Sequence, residues 1–204
     1  IAAGKHVLVE KAFARNAREG REVVEAARAA GVFVMEAMWT RFLPHQVAAR
    51  AIISSGAIGE VVEVVADHGQ ALTHVPRLMD PELAGGALLD LGVYPISFIH
   101  SILGTPRGVH AEGSRTATGV DETSVTRLAY DRVLAVATTT LRSLTPTRAW
   151  VGGTDGLVEF DRGFFAPGGL TVRLGSSEVR WDGAPTVGGF EFQIGEVARC
   201  VAEG

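Results

Sequence analysis

The sequence predicts an α/β plus α+β fold: a remnant of a Rossmann-type parallel layer, followed by an α+β domain with a large, open, mostly antiparallel sheet. Three observations carry this. Residues 1–42 alternate strand, helix and strand, as a βαβ unit does. From Arg107 onward the chain becomes a succession of β-rich stretches cut by turns. Finally, the G-x-G-x-x-G signature of a dinucleotide-binding turn is nowhere in the sequence.

The elements follow in order. His6-Val7-Leu8-Val9 is a short apolar run, the pattern of a parallel strand buried on both faces. Asn16 with Glu19 three residues on makes a weak capping box that opens a helix over Ala17–Ala30. Gly31 suits its left-handed C-cap, and Val32–Met35 forms the second strand. Pro44 starts another amphipathic helix that runs to Ser54 and closes at Gly56. Glu60–His68 reads as a long strand. Gly85–Leu103 is helical, ended by Gly104, with Pro95 expected to kink it. After Arg107, turns at Gly119–Asp121, Asp131-Arg132, Thr154–Gly156, Pro167–Gly169 and Ser176-Ser177 separate the strands. Phe190–Ala202 is a last helix.

Two parallel strands leave edges and faces uncovered. The expected organisation is therefore a C-terminal remnant of a dinucleotide-binding domain over 1–42 and a substrate-binding and dimerisation domain over 43–204. About a hundred residues of dinucleotide-binding half are expected upstream.

Composition narrows the function. Apolar residues make up 47% of the 204, which excludes a disordered chain. The formal charge of −4 comes without any basic run longer than a dipeptide, so no nucleic-acid surface is expected. No apolar run approaches the roughly 18 residues of a membrane span, and no signal-peptide pattern opens the chain. A single cysteine, Cys200, rules out an internal disulfide and points to a reducing, cytoplasmic setting. The six histidines lack metal-ligand spacing, so no metal site is expected.

Three constellations hold the candidate chemistry. Glu10-Lys11 follows the first strand, at the carboxyl end where open parallel sheets bind ligands; an ordinary solvated lysine in a βα loop would look the same. Trp39 and Arg41 leave the second strand and offer a flat apolar wall and a cationic fork, although both also suit packing at a domain junction. Asp90 and Tyr94, four residues apart in an otherwise apolar helix, share one face, and such groups are costly to bury unless paired or used.

Together the stretches KHVLVEKA (Lys5–Ala12), MEAMWTRFLP (Met35–Pro44) and GGALLDLGVYP (Gly85–Pro95) resemble the glucose-fructose oxidoreductase / inositol dehydrogenase (Gfo/Idh/MocA) family, in particular its dihydrodiol and xylose dehydrogenase branch. The resemblance runs across essentially the whole chain and implies an NAD- or NADP-dependent oxidoreductase. Its substrate would be a sugar-like, polyol or cyclic diol alcohol, or the matching carbonyl. It places Lys11 by the nicotinamide and the reacting oxygen, with Glu10 beside it on the cofactor side. It makes Tyr94 the general acid/base, gives Asp90 the orienting carboxylate, and sets Trp39 and Arg41 in the substrate pocket. A cationic Lys11 would favour the Tyr94 phenolate and a developing alkoxide. It further implies a homodimer through the open sheet face. Two departures stand out: Ala12 replaces the family's proline after the lysine, so that loop is expected to differ, and the glycine loop is missing, so this chain alone should be inactive. The alternative is a non-catalytic nucleotide- or sugar-sensing protein of the same fold.

Overall fold

A computed structural model describes residues 1–203. The short strand β1 (Val7–Val9) pairs in parallel with β2 (Val34–Glu36), linked by helix α1 (Ala17–Ala29). The expected cap forms: the Asn16 side chain accepts from the Glu19 amide at 3.1 Å, and Gly31 takes φ +62° past the helix end. Leu8 is exposed, so β1 is not covered on both faces as its apolar run predicts. A two-stranded layer with one helix cannot hide both its faces.

Helix α2 (Pro44–Ser54) leads to β3 (Val61–Gly69), the strand on which the second layer is built. Seven more strands follow: β4 (Gly108–Arg115), β5 (Asp121–Ala129), β6 (Leu134–Thr140), β7 (Ala149–Gly153), β8 (Gly156–Phe160), β9 (Leu170–Leu174) and β10 (Ser177–Trp181). They make one eight-stranded sheet in the order β10-β9-β8-β7-β3-β6-β5-β4. Every neighbouring pair is antiparallel except β3–β6, which is parallel. The mixed, open, mostly antiparallel sheet is the one expected.

One face of this sheet is covered. Val64, Ala66, Ala135, Ala137, Ala149, Val151 and Val158 alternate inward from four adjacent strands and join Phe98, Ile99, Phe160 and Phe164 in the main core. Small side chains on the central strands let α3 (Val93–Leu103) lie close over β3 and β6. The opposite face carries Val65, Trp150, Val136 and the exposed Leu134 and Val125, with no helix over it. The last helix, α4 (Phe190–Glu203), packs on the turn at Trp39–Phe42 and leaves that face open.

The stretch before α3 departs from the expected continuous helix. Leu88–Gly92 forms a single π-turn, and α3 begins only at Val93. Pro95 has no amide hydrogen to return to the Leu91 carbonyl, so regular α-helical bonding cannot run through this turn; the chain widens there instead of kinking sharply. Gly92 lies in this turn. It is buried, and an added Cβ would stand 3.2 Å from a Thr139 methyl and 3.1 Å from Leu88, so glycine serves close helix-to-sheet contact. By length and composition Pro81–Leu103 would suffice to cross a membrane, but here it holds the place of a core element, with Leu91, Tyr94, Phe98 and Ile99 buried.

Candidate active site

The π-turn, the end of β1 and the inward face of β3 meet at one point. Lys11 leaves β1 and its Nζ donates to the Asp90 carbonyl at 2.7 Å and to Asp90 Oδ1 at 3.3 Å. The same ammonium stands 5.2 Å from the centre of the Tyr94 ring, within cation–π range. Asp90 and Tyr94 do not bond to each other among the described residues. The π-turn offsets the four-residue alignment expected of an α-helix, and Lys11 is the group that joins them. The Lys11–Ala12 peptide bond is cis.

A cleft of about 390 Å³ opens beside this cluster, lined by Lys11, Phe13, Arg15, Arg77, Leu83 and Asp90. Its position beyond the carboxyl end of β1 is where open α/β sheets take ligands.

Tyr94 is 7% exposed. Burial is the main cause that pushes its phenol above the usual range, and the Asp90 and Glu10 carboxylates add to it. The nearby Trp39 indole opposes them. An indole N–H can only donate, so its dipole favours the phenolate form. Lys11 does not figure among the causes of the Tyr94 shift, which corrects the expectation that its charge lowers this group at rest. Its ammonium is already engaged by Asp90.

Sequence reading missed an aromatic lining. Phe165 lies against His68, ring centres 4.3 Å apart and nearly parallel, and 5.0 Å from Tyr94. His68 meets Tyr94 edge-on at 5.3 Å, and Phe190 stacks on Trp39 at 4.6 Å. The Phe164-Phe165 loop is held from α2 and the turn before it. Gln46 donates to the Phe164 carbonyl at 2.9 Å, a His45 ring nitrogen lies 3.1 Å from the same oxygen, and Thr40 donates to the Phe165 carbonyl at 2.9 Å. Adjacent phenylalanines in a turn were the one signal available. His68 gave none, since a histidine in a strand reads as core.

Arg41 is not brought to this cluster. Its carbonyl accepts from Arg50 at 2.6 Å, and its charge helps to lower Arg50, whose main cause is burial. No ion pair ties the Arg41 guanidinium to Lys11, Asp90 or Tyr94 among the described residues.

His68 is 1% exposed, and its Nε2 lies 3.0 Å from the Gln70 amide nitrogen. Burial first, then the Lys11 charge, hold the ring's pKa down at about 4. A depressed histidine stabilises the fold fully above its ordinary 6.5, and the contribution is lost as pH falls from 6.5 toward 4. We expect a loss of about 1.4 kcal/mol per pH unit in that window, of order 3 kcal/mol in all. Urea unfolding of this chain at several pH values checks it, and a His68→Phe variant should show a flatter slope. An equal slope in both would remove His68 from the acid response.

The carboxyl end of β1 fits the nicotinamide end of a dinucleotide, since the partly buried cation Lys11 and the carboxylate Asp90 line one cleft there. No residues here fit the pyrophosphate, because the chain holds no glycine loop opening a helix.

Comparison with known proteins places these features. Residues 47–159 match the model of the GFO/IDH/MocA C-terminal domain. The chain is 37% identical over 213 residues to trans-1,2-dihydrobenzene-1,2-diol dehydrogenase of Macaca fascicularis, covering 100% of this chain and 64% of that protein. With the Mus musculus protein of the same name it shares 42% over 175 residues, 84% of this chain and 52% of the relative. A solved aldose-aldose oxidoreductase of Caulobacter crescentus, complexed with glycerol, superposes with a TM-score of 0.89 at 26% identity, over 99% of this chain and 63% of that one. An NAD binding oxidoreductase of Klebsiella pneumoniae gives 0.81 at 25%, over 98% and 64%. The chain thus spans less than two thirds of these relatives' length. With a family model matched over more than half its residues, and a fold and site of this arrangement, the chain belongs to the GFO/IDH/MocA family.

Proposed function

We propose that this chain supplies the substrate side of an NAD- or NADP-dependent dehydrogenase acting on a CH–OH group, working with a dinucleotide-binding half. The observation that carries the reading is the Lys11–Asp90–Tyr94 cluster, whose Lys11 and Asp90 line the cleft. The relatives named as dihydrodiol dehydrogenases and the aldose oxidoreductase support a small cyclic diol or sugar-like alcohol as substrate. The aromatic cluster of Trp39, Phe165 and Phe190 around Tyr94 suits the flat or apolar face of such a ring.

A nicotinamide, when bound, accepts or returns the hydride. The chain's own residues manage the proton. Tyr94 holds it at the phenol oxygen, the nearby Trp39 indole favours the phenolate form, and Lys11 brings positive charge to where an alkoxide develops. Asp90 fixes Lys11 by two contacts. The test is turnover by the chain joined to its dinucleotide-binding half, followed by nicotinamide absorbance with NAD and NADP against dihydrodiols, aldoses and inositols. Reduction with at least one class supports the reading. Binding without turnover across all of them favours a sensing protein instead.

The uncovered sheet face supports a homodimer. Trp150, whose indole donates to Glu63 at 3.0 Å, sits among Val65, Val136 and the exposed Leu134, and a groove of about 460 Å³ runs by Val125 and Thr138. Patches of this kind mark interfaces, and a stable one should bury at least about 1,000 Å² in total. Light scattering at micromolar concentration should report a dimer, and Trp150→Glu should shift it to monomer. A dimer that survives the substitution would move the interface elsewhere. A single cysteine and no disulfide pair agree with a reducing, cytoplasmic site of action.

A further inference from the structure

Asp90 is held by two cations. Besides Lys11, Arg77 reaches the same carboxylate oxygen, with Nη2 3.0 Å from Oδ1. The carboxylate is only 13% exposed while the Arg77 side chain is 57% exposed, so the arginine approaches from the cleft and closes over a largely buried charge. The approach is built into the fold. Arg77 lies on a short turn (Pro76–Met79) whose next residue, Leu78, is fully buried in a small core with Ala87, Leu91 and Leu141. Gly86 donates to the Leu78 carbonyl at 2.9 Å, and a Cβ at Gly85 would stand 2.5 Å from that oxygen. The loop is pinned to the π-turn that carries Asp90.

This arrangement has an electrostatic consequence. Asp90 raises the phenol, and Arg77 on the same oxygen adds a second positive charge that offsets the carboxylate Tyr94 senses. The charged and titratable groups facing Tyr94 are Glu10 and Lys11 from the end of β1, Asp90 from the π-turn and His68 from β3. His68 is neutral near pH 7, so the balance falls to Glu10, Lys11, Asp90 and, through Asp90, Arg77.

We propose that Arg77 is a positioning residue that offsets the Asp90 charge and so sets the proton affinity of Tyr94, a role that rests on Tyr94 being the acid/base. Its test does not require turnover. The chain contains two tyrosines, Tyr94 and Tyr130, so the tyrosinate absorbance of Tyr94 is isolated by subtracting a Tyr94→Phe blank. Incorporating 3,5-difluorotyrosine brings the ionisation down into the range where the fold persists. Arg77→Gln should move the Tyr94 midpoint up by about half a pH unit or more at low salt, with a smaller shift at high salt. Arg77→Lys, which keeps the charge, should restore most of it. In the dehydrogenase the same Arg77→Gln change should raise the pH needed for alcohol oxidation and lower kcat more than it changes KM. An unmoved or lowered midpoint in Arg77→Gln, or an equal shift in Arg77→Lys, would overturn the proposal. Absence of turnover with the midpoint shifted as expected would instead count against the dehydrogenase reading alone.

Discussion

Tyr94→Phe in the assembled dehydrogenase should lower kcat by about 10²–10⁴-fold while leaving cofactor binding nearly unchanged. The substitution removes one oxygen from a ring that is otherwise held by packing. Its neighbours Phe165 and His68 contact the ring faces and edges, so the aromatic cluster should persist. What disappears is the atom that exchanges a proton with the substrate oxygen. Burial raises the phenol's affinity for that proton, which suits a donor to a carbonyl oxygen in the reductive direction. In the oxidative direction the proton must be drawn off the alcohol, and there Trp39 and Lys11 have to offset burial. The loss should therefore be present in both directions, and steeper at low pH for oxidation. Steady-state kinetics of both directions, with cofactor affinity from fluorescence titration, check this. Near-normal turnover in the variant would remove Tyr94 from the mechanism.

The sequence was legible where local chemistry decides the structure. Asn16 and Glu19 are a cap read from spacing, Pro44 and Gly56 bracket α2, and the turns after Arg107 fall between real strands. It was less legible where tertiary geometry decides. Asp90 and Tyr94 look like one helix face at four-residue spacing, but the π-turn created around Gly92 and Pro95 separates them and lets Lys11 come between. Period alone cannot reveal a widened turn. His68, Phe165 and Arg77 were invisible for a related reason. Each lies far in sequence from Lys11, or on a loop whose course depends on which strands pair. Arg41 is the converse case, close in sequence to Trp39 yet turned toward Arg50.

Lys11→Met should cost turnover at least as much as the tyrosine change, about 10²–10⁴-fold, and should also reshape its pH dependence. Lys11 is the link between the carboxylate and the aromatic ring: its Nζ holds Asp90 at two oxygens and lies 5.2 Å from the Tyr94 ring centre. Removing it leaves Asp90 with Arg77 alone and deprives an alkoxide of its nearest cation. It also removes one of the two cations that neutralise Asp90, whose charge raises Tyr94. The pH–rate profile for alcohol oxidation should accordingly move to higher pH. Lys11→Arg tests charge against shape. A guanidinium preserves the cation but is a planar fork where the site holds a compact ammonium, so it should be slower than the parent, with a smaller upward displacement of the optimum. An unchanged pH–rate profile in Lys11→Met would contradict the coupling between this lysine and Tyr94. If Lys11→Arg matched the parent in both rate and profile, only charge, and not the position of the ammonium over the ring, would matter.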